Sequence, residues 1–199
     1  MTEQDSKPDN ATLEGYEVLL CVTGGIACHK AADLASRLVQ AGASVTVAMT
    51  ESAAKFVTPL TFAALTGRAA FTTMWRDGRS HDPAHIALTD AADLMIVAPA
   101  TANILGKLAV GIADDLVSTL ALSAAGACEI LLAPAMNSRM WQAPAVRENV
   151  EKLRARGAHF VGPNEGRLAC GTIGPGRMAE PDEILAAAID LLRAAPAGP

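Results

Sequence analysis

Three residues stand out because their types can move protons or hold a carboxylate. His85 lies in Pro83-Ala84-His85-Ile86-Ala87-Leu88, just ahead of an apolar strand. An imidazole, with a reference pKa of about 6.5, suits a general base at neutral pH. The competing reading is a partly exposed loop histidine. Asn137 lies in Pro134-Ala135-Met136-Asn137-Ser138-Arg139-Met140-Trp141. Its amide can donate to one carboxylate oxygen, and neighbouring backbone N–H groups can add to that hold. Asn is equally suited to cap a helix, and the two roles are compatible. Cys170 lies in Ala169-Cys170-Gly171-Thr172-Ile173-Gly174-Pro175-Gly176-Arg177-Met178. Cysteine is usually buried, yet this one falls in a Gly-rich polar stretch, from which a thiol can reach a substrate and deliver a proton. An incidental loop cysteine is the alternative. His29, His81 and His159 are weaker candidates. Cys21, Cys28 and Cys128 fall in or beside apolar segments and read as packing residues. The His and Cys spacing makes no recognisable metal site, so no metal is expected. Met136, Met140 and Trp141 are expected to pack around the site.

A second set could hold a nucleotide. Thr23-Gly24-Gly25-Ile26-Ala27 follows a short apolar run and opens a helix. Glycines there let the backbone approach a ligand, and free helix N–H groups attract a phosphate. A plain tight turn from strand to helix would read the same way. The pattern is not GxGxxG. The next strand ends in Met49-Thr50, where a dinucleotide enzyme would usually carry an acid for the ribose hydroxyls. A hydroxyl at Thr50 suits a single phosphate or a ribityl chain, which favours FMN over NAD.

The elements that must position these residues alternate along the chain. Apolar runs at Tyr16–Val22, Ser44–Met49, Leu94–Ala98, Glu129–Ala133 and His159–Val161 predict strands, the third and fourth stopped by Pro99 and Pro134. Helical spacing covers Ile26–Gln40, Pro59–Thr66, Ala102–Val110, Asp115–Ala124, Ala145–Arg156 and Pro181–Arg193. Gly162–Met178 reads as a long irregular stretch. The alternation predicts an α/β fold: an open, mostly parallel, Rossmann-like or flavodoxin-like sheet with helices on both faces. Ligands of such sheets bind beyond the carboxyl ends of the strands, so three strand-end loops are expected to gather along one edge. Those loops are Thr23-Gly24-Gly25, Pro99-Ala100-Thr101-Ala102-Asn103 and Pro134-Ala135-Met136-Asn137.

The bulk properties agree. A chain of 199 residues with 51% hydrophobic and 19% charged residues supports one buried core. Residues 1–14 read as a disordered tail, and 15–194 as a single domain with a flap at about 162–178. A net charge of −5 with 4% aromatics leaves no basic stripe or stacking platform, so nucleic acid is not an expected partner. No membrane span or leader is expected, and the four cysteines read as reduced thiols of a cytoplasmic protein.

Taken together, these segments resemble the flavin-containing cysteine decarboxylase family over about Tyr16 to Leu192. Pro134-Ala135-Met136-Asn137-Ser138-Arg139-Met140-Trp141 matches the family's PxMNxxMW signature in full. Pro99-Ala100-Thr101-Ala102-Asn103-Ile104 is similar to its PASANT motif, with Thr at the Ser position and Ile at the final Thr. His85-Ile86 resembles the active-site histidine segment. Ala169-Cys170-Gly171 with Gly174-Pro175-Gly176-Arg177-Met178 resembles the substrate flap of the coenzyme A branch, whose substrate is phosphopantothenoylcysteine.

The resemblance implies FMN as cofactor, near Gly24, Gly25, Ile26, Thr50, Phe56, Pro99, Thr101 and Asn103. It implies a substrate site at Asn137, Ala135, Met136, Gly171 and Met178. It implies oxidation of the substrate's CH₂–SH to a thioaldehyde with His85 as base, loss of CO₂ to leave an enethiolate, and protonation by Cys170 as the hydride returns. Asn137 would hold the departing carboxylate. A homotrimer or a dodecamer of trimers is implied, with a CTP-dependent synthetase fused to the domain or separate from it. The family leaves two alternatives: a lantibiotic-type peptidyl-cysteine decarboxylase, and a non-catalytic flavin-binding regulatory protein.

Overall fold

A computed structural model describes residues 13–74, 84–169 and 171–194, with the side chains of residues 84 and 85 excluded. The first half runs β1 (Glu17–Val22), α1 (Cys28–Gln40), β2 (Ser44–Met49), α2 (Glu51–Ala54), α3 (Pro59–Thr66), α4 (Ala84–Asp90) and β3 (Leu94–Ala100). The second half runs α5 (Ala102–Val110), α6 (Leu116–Ala124), β4 (Glu129–Pro134), α7 (Ser138–Gln142), α8 (Pro144–Ala155), β5 (His159–Phe160), β6 (Asn164–Arg167), β7 (Ile173–Arg177) and α9 (Pro181–Ala194).

Five strands pair in the order β2-β1-β3-β4-β5, every pair parallel. Side chains of a strand alternate between the two faces of its sheet, and both faces here are apolar. Val18, Leu20 and Val22 of β1 join Leu34 and Leu38 of α1, Phe62 of α3 and Ile184 of α9 in one core layer. Leu19 and Cys21 join Leu105 of α5, Leu120 of α6 and Val150 of α8 in the other. Helices therefore cover both faces, as the unalternating apolar runs predict.

Three expectations need correction. Strand β3 does not stop before Pro99 but continues to Ala100, and β4 includes Pro134. A proline cannot donate to a ladder, yet the β3–β4 register skips between Val97 and Ala100, so Pro99 occupies a bulge where no donor is required. Residues 162–178 are not simply irregular, because β6 and β7 form an antiparallel hairpin with Asn164 opposite Arg177 and Arg167 opposite Ile173. Its glycines and proline hide strand periodicity from the sequence. The backbone of His85 lies in the first turn of α4 and not in a loop.

Candidate functional site

The loops that leave β1, β2, β3 and β4 at their carboxyl ends line a cleft of about 1210 Å³. From β1 the chain first moves outward to β2 and then crosses to β3 on the other side. That reversal leaves a crevice between the β1 and β3 loops, the usual ligand position of an open parallel sheet.

A threonine ties those two loops together. Thr23 is buried, and its hydroxyl donates to the Pro99 carbonyl at 2.6 Å and lies 3.4 Å from the Thr101 hydroxyl. Next to it, Gly24 presses on α2 so closely that a Cβ would overlap the side chain and backbone of Ser52. Gly25 faces Thr101 across ordinary contact distance.

Helices α1, α2, α5 and α7 all begin at this cleft, and they begin differently. Thr50 caps α2 by accepting from the Ala53 N–H at 3.1 Å, and Thr101 caps α5 by accepting from the Ile104 N–H at 3.4 Å. Asn137 caps α7, its side-chain oxygen accepting from the Arg139 N–H at 2.8 Å. Helix α1 has no side-chain cap at Ala27. Its Cys28 and Lys30 N–H groups donate to the Gly25 and Ala27 carbonyls, so the donors that an anion would meet belong chiefly to the glycine turn ahead of it.

The hairpin closes one side. Met136 donates its N–H to the Gly176 carbonyl at 2.9 Å. Gly176 has φ +126°, and a Cβ there would collide with the Met136 carbonyl oxygen. A Cβ on Gly174 would lie 2.7 Å from Ser138 Oγ. Two glycines therefore let β7 lie directly on the loop that carries Asn137.

Charged groups cluster at the hairpin's foot. Lys30 Nζ donates to the Met178 carbonyl at 3.1 Å and to Glu180 Oε1 at 2.9 Å, and Arg177 Nη2 reaches the same Oε1 at 2.9 Å. The hydrogen bond from Lys30 is the main cause that holds the Glu180 carboxyl below its ordinary range. Across the cleft, Lys107 lies 2.6 Å from Asp114 and 2.5 Å from Asp115. Burial pushes the Asp115 carboxyl up, but Lys107 and Ser118 outweigh it and hold it below the usual aspartate value.

Most of the residues singled out in the sequence line this cleft. Gly24, Gly25, Ile26, Thr50, Thr101 and Asn103 lie along it, as do Ala135, Met136, Asn137, Gly171 and Met178. Phe56 is 53% exposed and does not line it. Pro99 does not line it either; its contribution is the carbonyl that Thr23 holds. The His85 side chain and Cys170 lie outside the described residues. Met140 lines the rim, whereas Trp141 is turned into the core beneath the Arg147 guanidinium. Cys21 and Cys28 are buried, Cys28 donating to the Thr23 carbonyl at 3.1 Å. Cys128 is half-buried, and burial pushes its thiol up to about 11. Lys30, Ser52, Lys107, Arg167, Arg177 and Glu180 also line the cleft and were not anticipated. Lys30 sits four residues past Ile26, on the α1 turn that the glycine loop feeds. Arg167 and Arg177 fall in the flap stretch without a role assigned to them there, and the Lys30–Glu180 pair joins residues remote in sequence.

The family described as Flavoprotein matches residues 6–193, and the chain belongs to that family. It is 51% identical over 173 residues to the coenzyme A biosynthesis bifunctional protein CoaBC of Bacillus subtilis (strain 168), covering 87% of this chain and 42% of the relative. The chain thus spans less than half the length of such relatives. Among solved structures it is similar to a cysteine-to-serine variant of a PPC decarboxylase complexed with pantothenoylaminoethenethiol, with a TM-score of 0.80, 30% identity and coverage of 87% and 96% of the two chains. It is also similar to the FMN-dependent cysteine decarboxylase SpaF, with a TM-score of 0.78, 32% identity and coverage of 92% and 100%. No helix among the described residues is long and apolar enough to cross a membrane.

Proposed function

We propose that this chain binds FMN in the cleft and decarboxylates 4′-phosphopantothenoylcysteine to 4′-phosphopantetheine, a step of coenzyme A biosynthesis. The observation that carries the reading is the seating of the hairpin on the Asn137 loop. It joins the two substrate-side segments of the sequence at one cleft, beside a glycine turn suited to a phosphate. Relatives named as coenzyme A biosynthesis and PPC decarboxylase proteins support it.

The residues present fit FMN. Gly24, with no room for a side chain, and the rest of the glycine turn ahead of α1 offer backbone N–H groups to a phosphate. Thr50 and Thr101 place hydroxyls beside them, each with a proton to donate although its oxygen already caps a helix. When bound, FMN would supply a reversible acceptor for the hydride lost from the CH₂–SH carbon, so that the substrate's own thiocarbonyl becomes the electron sink that a Cα–COO⁻ bond needs before it can break.

The chain's own residues do the rest. His85 takes the proton released as CH₂–SH becomes CH=S. The carboxylate is then β to the thiocarbonyl, so CO₂ leaves and its electron pair settles on sulfur. Asn137 holds the carboxylate until it departs; the cap uses the amide oxygen, and the donor that a carboxylate meets is the nitrogen at the other end. Cys170 protonates the enethiolate carbon, and over the whole cycle the net change is loss of CO₂ and gain of one proton. The relative complexed with pantothenoylaminoethenethiol carries serine in place of a cysteine, and an enethiol is the species that would build up without the step assigned to Cys170.

The functional assembly in this reading is a homotrimer or a dodecamer of trimers, working with a CTP-dependent synthetase. A monomer by light scattering that keeps full activity counts against that part. The reading as a whole is tested by incubating FMN-loaded protein with 4′-phosphopantothenoylcysteine, following CO₂ and the product mass. Absence of both overturns it. Turnover of a C-terminal-cysteine peptide in preference to that substrate moves the chain to the peptide branch.

A further inference from the structure

We propose that the cleft wall made by Lys30 and Arg177 at the foot of the hairpin and by Arg167 nearer its turn receives the phosphate of the substrate. The inference rests on the function proposed above and names the residues that would set its substrate preference.

The first ground is a local imbalance of charge. The cations lining the cleft are Lys30, Lys107, Arg167 and Arg177. Lys107 is matched by both Asp114 and Asp115. Lys30 and Arg177 share one carboxylate, both meeting the same oxygen of Glu180. Arg167 has no ion-pair partner among the described residues. Glu51 also lines the cleft but pairs with Lys55 at 3.7 Å, so on the hairpin side three cations stand against Glu180, in a chain whose net charge is −5. Such an excess in a cleft attracts an anion of about two charges.

The second ground is an unfilled donor. Arg177 Nε is buried and has no hydrogen-bond partner. Buried donors in native structures are nearly always paired, so this one calls for an acceptor. The third ground is orientation. The Arg177 side chain lies on the backbone of Gly166, where a Cβ would stand 3.0 Å from Nε. A guanidinium fixed flat in this way presents its planar fork to a phosphate, which it fits better than an ammonium does.

A phosphate monoester in this cleft has two sources, the substrate and the flavin. The glycine turn before α1 suits the flavin's phosphate, which leaves the hairpin wall of the cleft for the substrate's. The hairpin also adjoins the loop of Asn137, where the other end of the substrate would be held.

The test uses the full chain loaded with FMN. Two substrates are compared, 4′-phosphopantothenoylcysteine and pantothenoylcysteine, in the wild type and in R167Q, R177Q and R177K. The wild type is expected to prefer the phosphorylated substrate in kcat/KM. That preference should fall about tenfold in R167Q and R177Q through loss of a charge-assisted contact, and by less in R177K. Calorimetry gives a reading without turnover: wild type should bind 4′-phosphopantetheine more tightly than pantetheine, and the gap should narrow in R167Q. A wild type without preference overturns the inference, as does an unchanged preference in both R167Q and R177K. If the variants instead lose FMN while the preference stays, the cluster holds the cofactor's phosphate and the inference is again overturned. If wild type releases CO₂ from neither substrate, the proposed function fails and takes the inference with it.

Discussion

The N–H of Met136 donates to the carbonyl of Gly176 at 2.9 Å, across forty residues of chain. That one bond, with two glycines that let the backbones touch, couples the loop of Asn137 to the hairpin that leads from Cys170. It makes the Asn137–hairpin pair a single unit, and its removal should be felt on both sides.

Gly176→Ala tests this directly. The position has φ +126°, and the new methyl would meet the Met136 carbonyl oxygen. A non-glycine residue held in such a region costs about 1–3 kcal/mol, so the hairpin should lift from the loop. We expect kcat/KM to fall at least as far as the thermal stability indicates, with FMN retained. Gly174→Ala should do less, since the Ser138 hydroxyl it meets can rotate away. Thermal unfolding and turnover of both variants check the order.

Thr23→Val keeps the shape of a buried side chain and removes its hydroxyl. The Pro99 carbonyl then loses a donor at 2.6 Å. Leaving a buried acceptor unmatched costs about 1–3 kcal/mol. Because Thr23 joins the β1 and β3 loops, the loss should appear both in urea unfolding and as weaker FMN retention on dialysis. A variant as stable as wild type, with unchanged flavin content, refutes the role.

Asp115 combines a helix cap with an ion pair. Its oxygen accepts from the Ser118 N–H at 2.9 Å, and Lys107 lies 2.5 Å away. Its carboxyl is held below the usual aspartate value, so the sign is fixed: the stabilisation is present above the unfolded pKa and is lost as pH falls through the folded one. Asp115→Asn keeps a capping oxygen and should flatten this acid dependence. Asp115→Ala also loses the cap, at about 1 kcal/mol more. Unfolding free energies from neutral pH down to the acid limb would decide; an Asn variant with the same acid slope as wild type contradicts it.

The three chemical residues should fail at different points. His85→Asn should take up FMN yet leave it unreduced by substrate, since the first proton has no acceptor. Asn137→Asp keeps a good N-cap, so the fold should stand while a like charge weakens substrate binding. Cys170→Ser should still release CO₂, because a hydroxyl is a far weaker acid than a thiol, whose reference pKa is about 8.5. An enethiol two hydrogens short of the product should then accumulate, detectable by mass. Full product at an unchanged rate would make Cys170 an ordinary cysteine.

What the sequence discloses follows from what its signals measure. The sheet is legible because buried parallel strands leave unbroken apolar runs, such as Leu94 to Ala98, and because Gly42, Gly67 and Gly157 end helices. The β1 turn and the Asn137 loop are legible because short motifs carry them. Strand pairing through Pro99 is not, since a bulge depends on the register of β4. The hairpin is hidden for a similar reason: Gly174 and Gly176 read as loop residues, and only contact with Ser138 and Met136 explains them. The Lys30–Glu180 pair joins residues 150 positions apart and leaves no local trace. Asn137 is open in the sequence between two roles, and the structure shows the cap.

The hairpin enters and leaves the fold at neighbouring points, Asn164 opposite Arg177, between the last strand of the sheet and the closing helix. None of its strands pairs with the five-stranded sheet. It is therefore a cassette: another segment of different length or composition can be spliced between these two points without re-registering a strand or reshaping the turn after β1. Under the proposed function, recognition of the substrate by the hairpin and retention of the cofactor by the turn after β1 would be separable inheritances on one scaffold. An exchange of residues 164–177 for the corresponding segment of a peptide-directed relative is the graft this architecture tolerates.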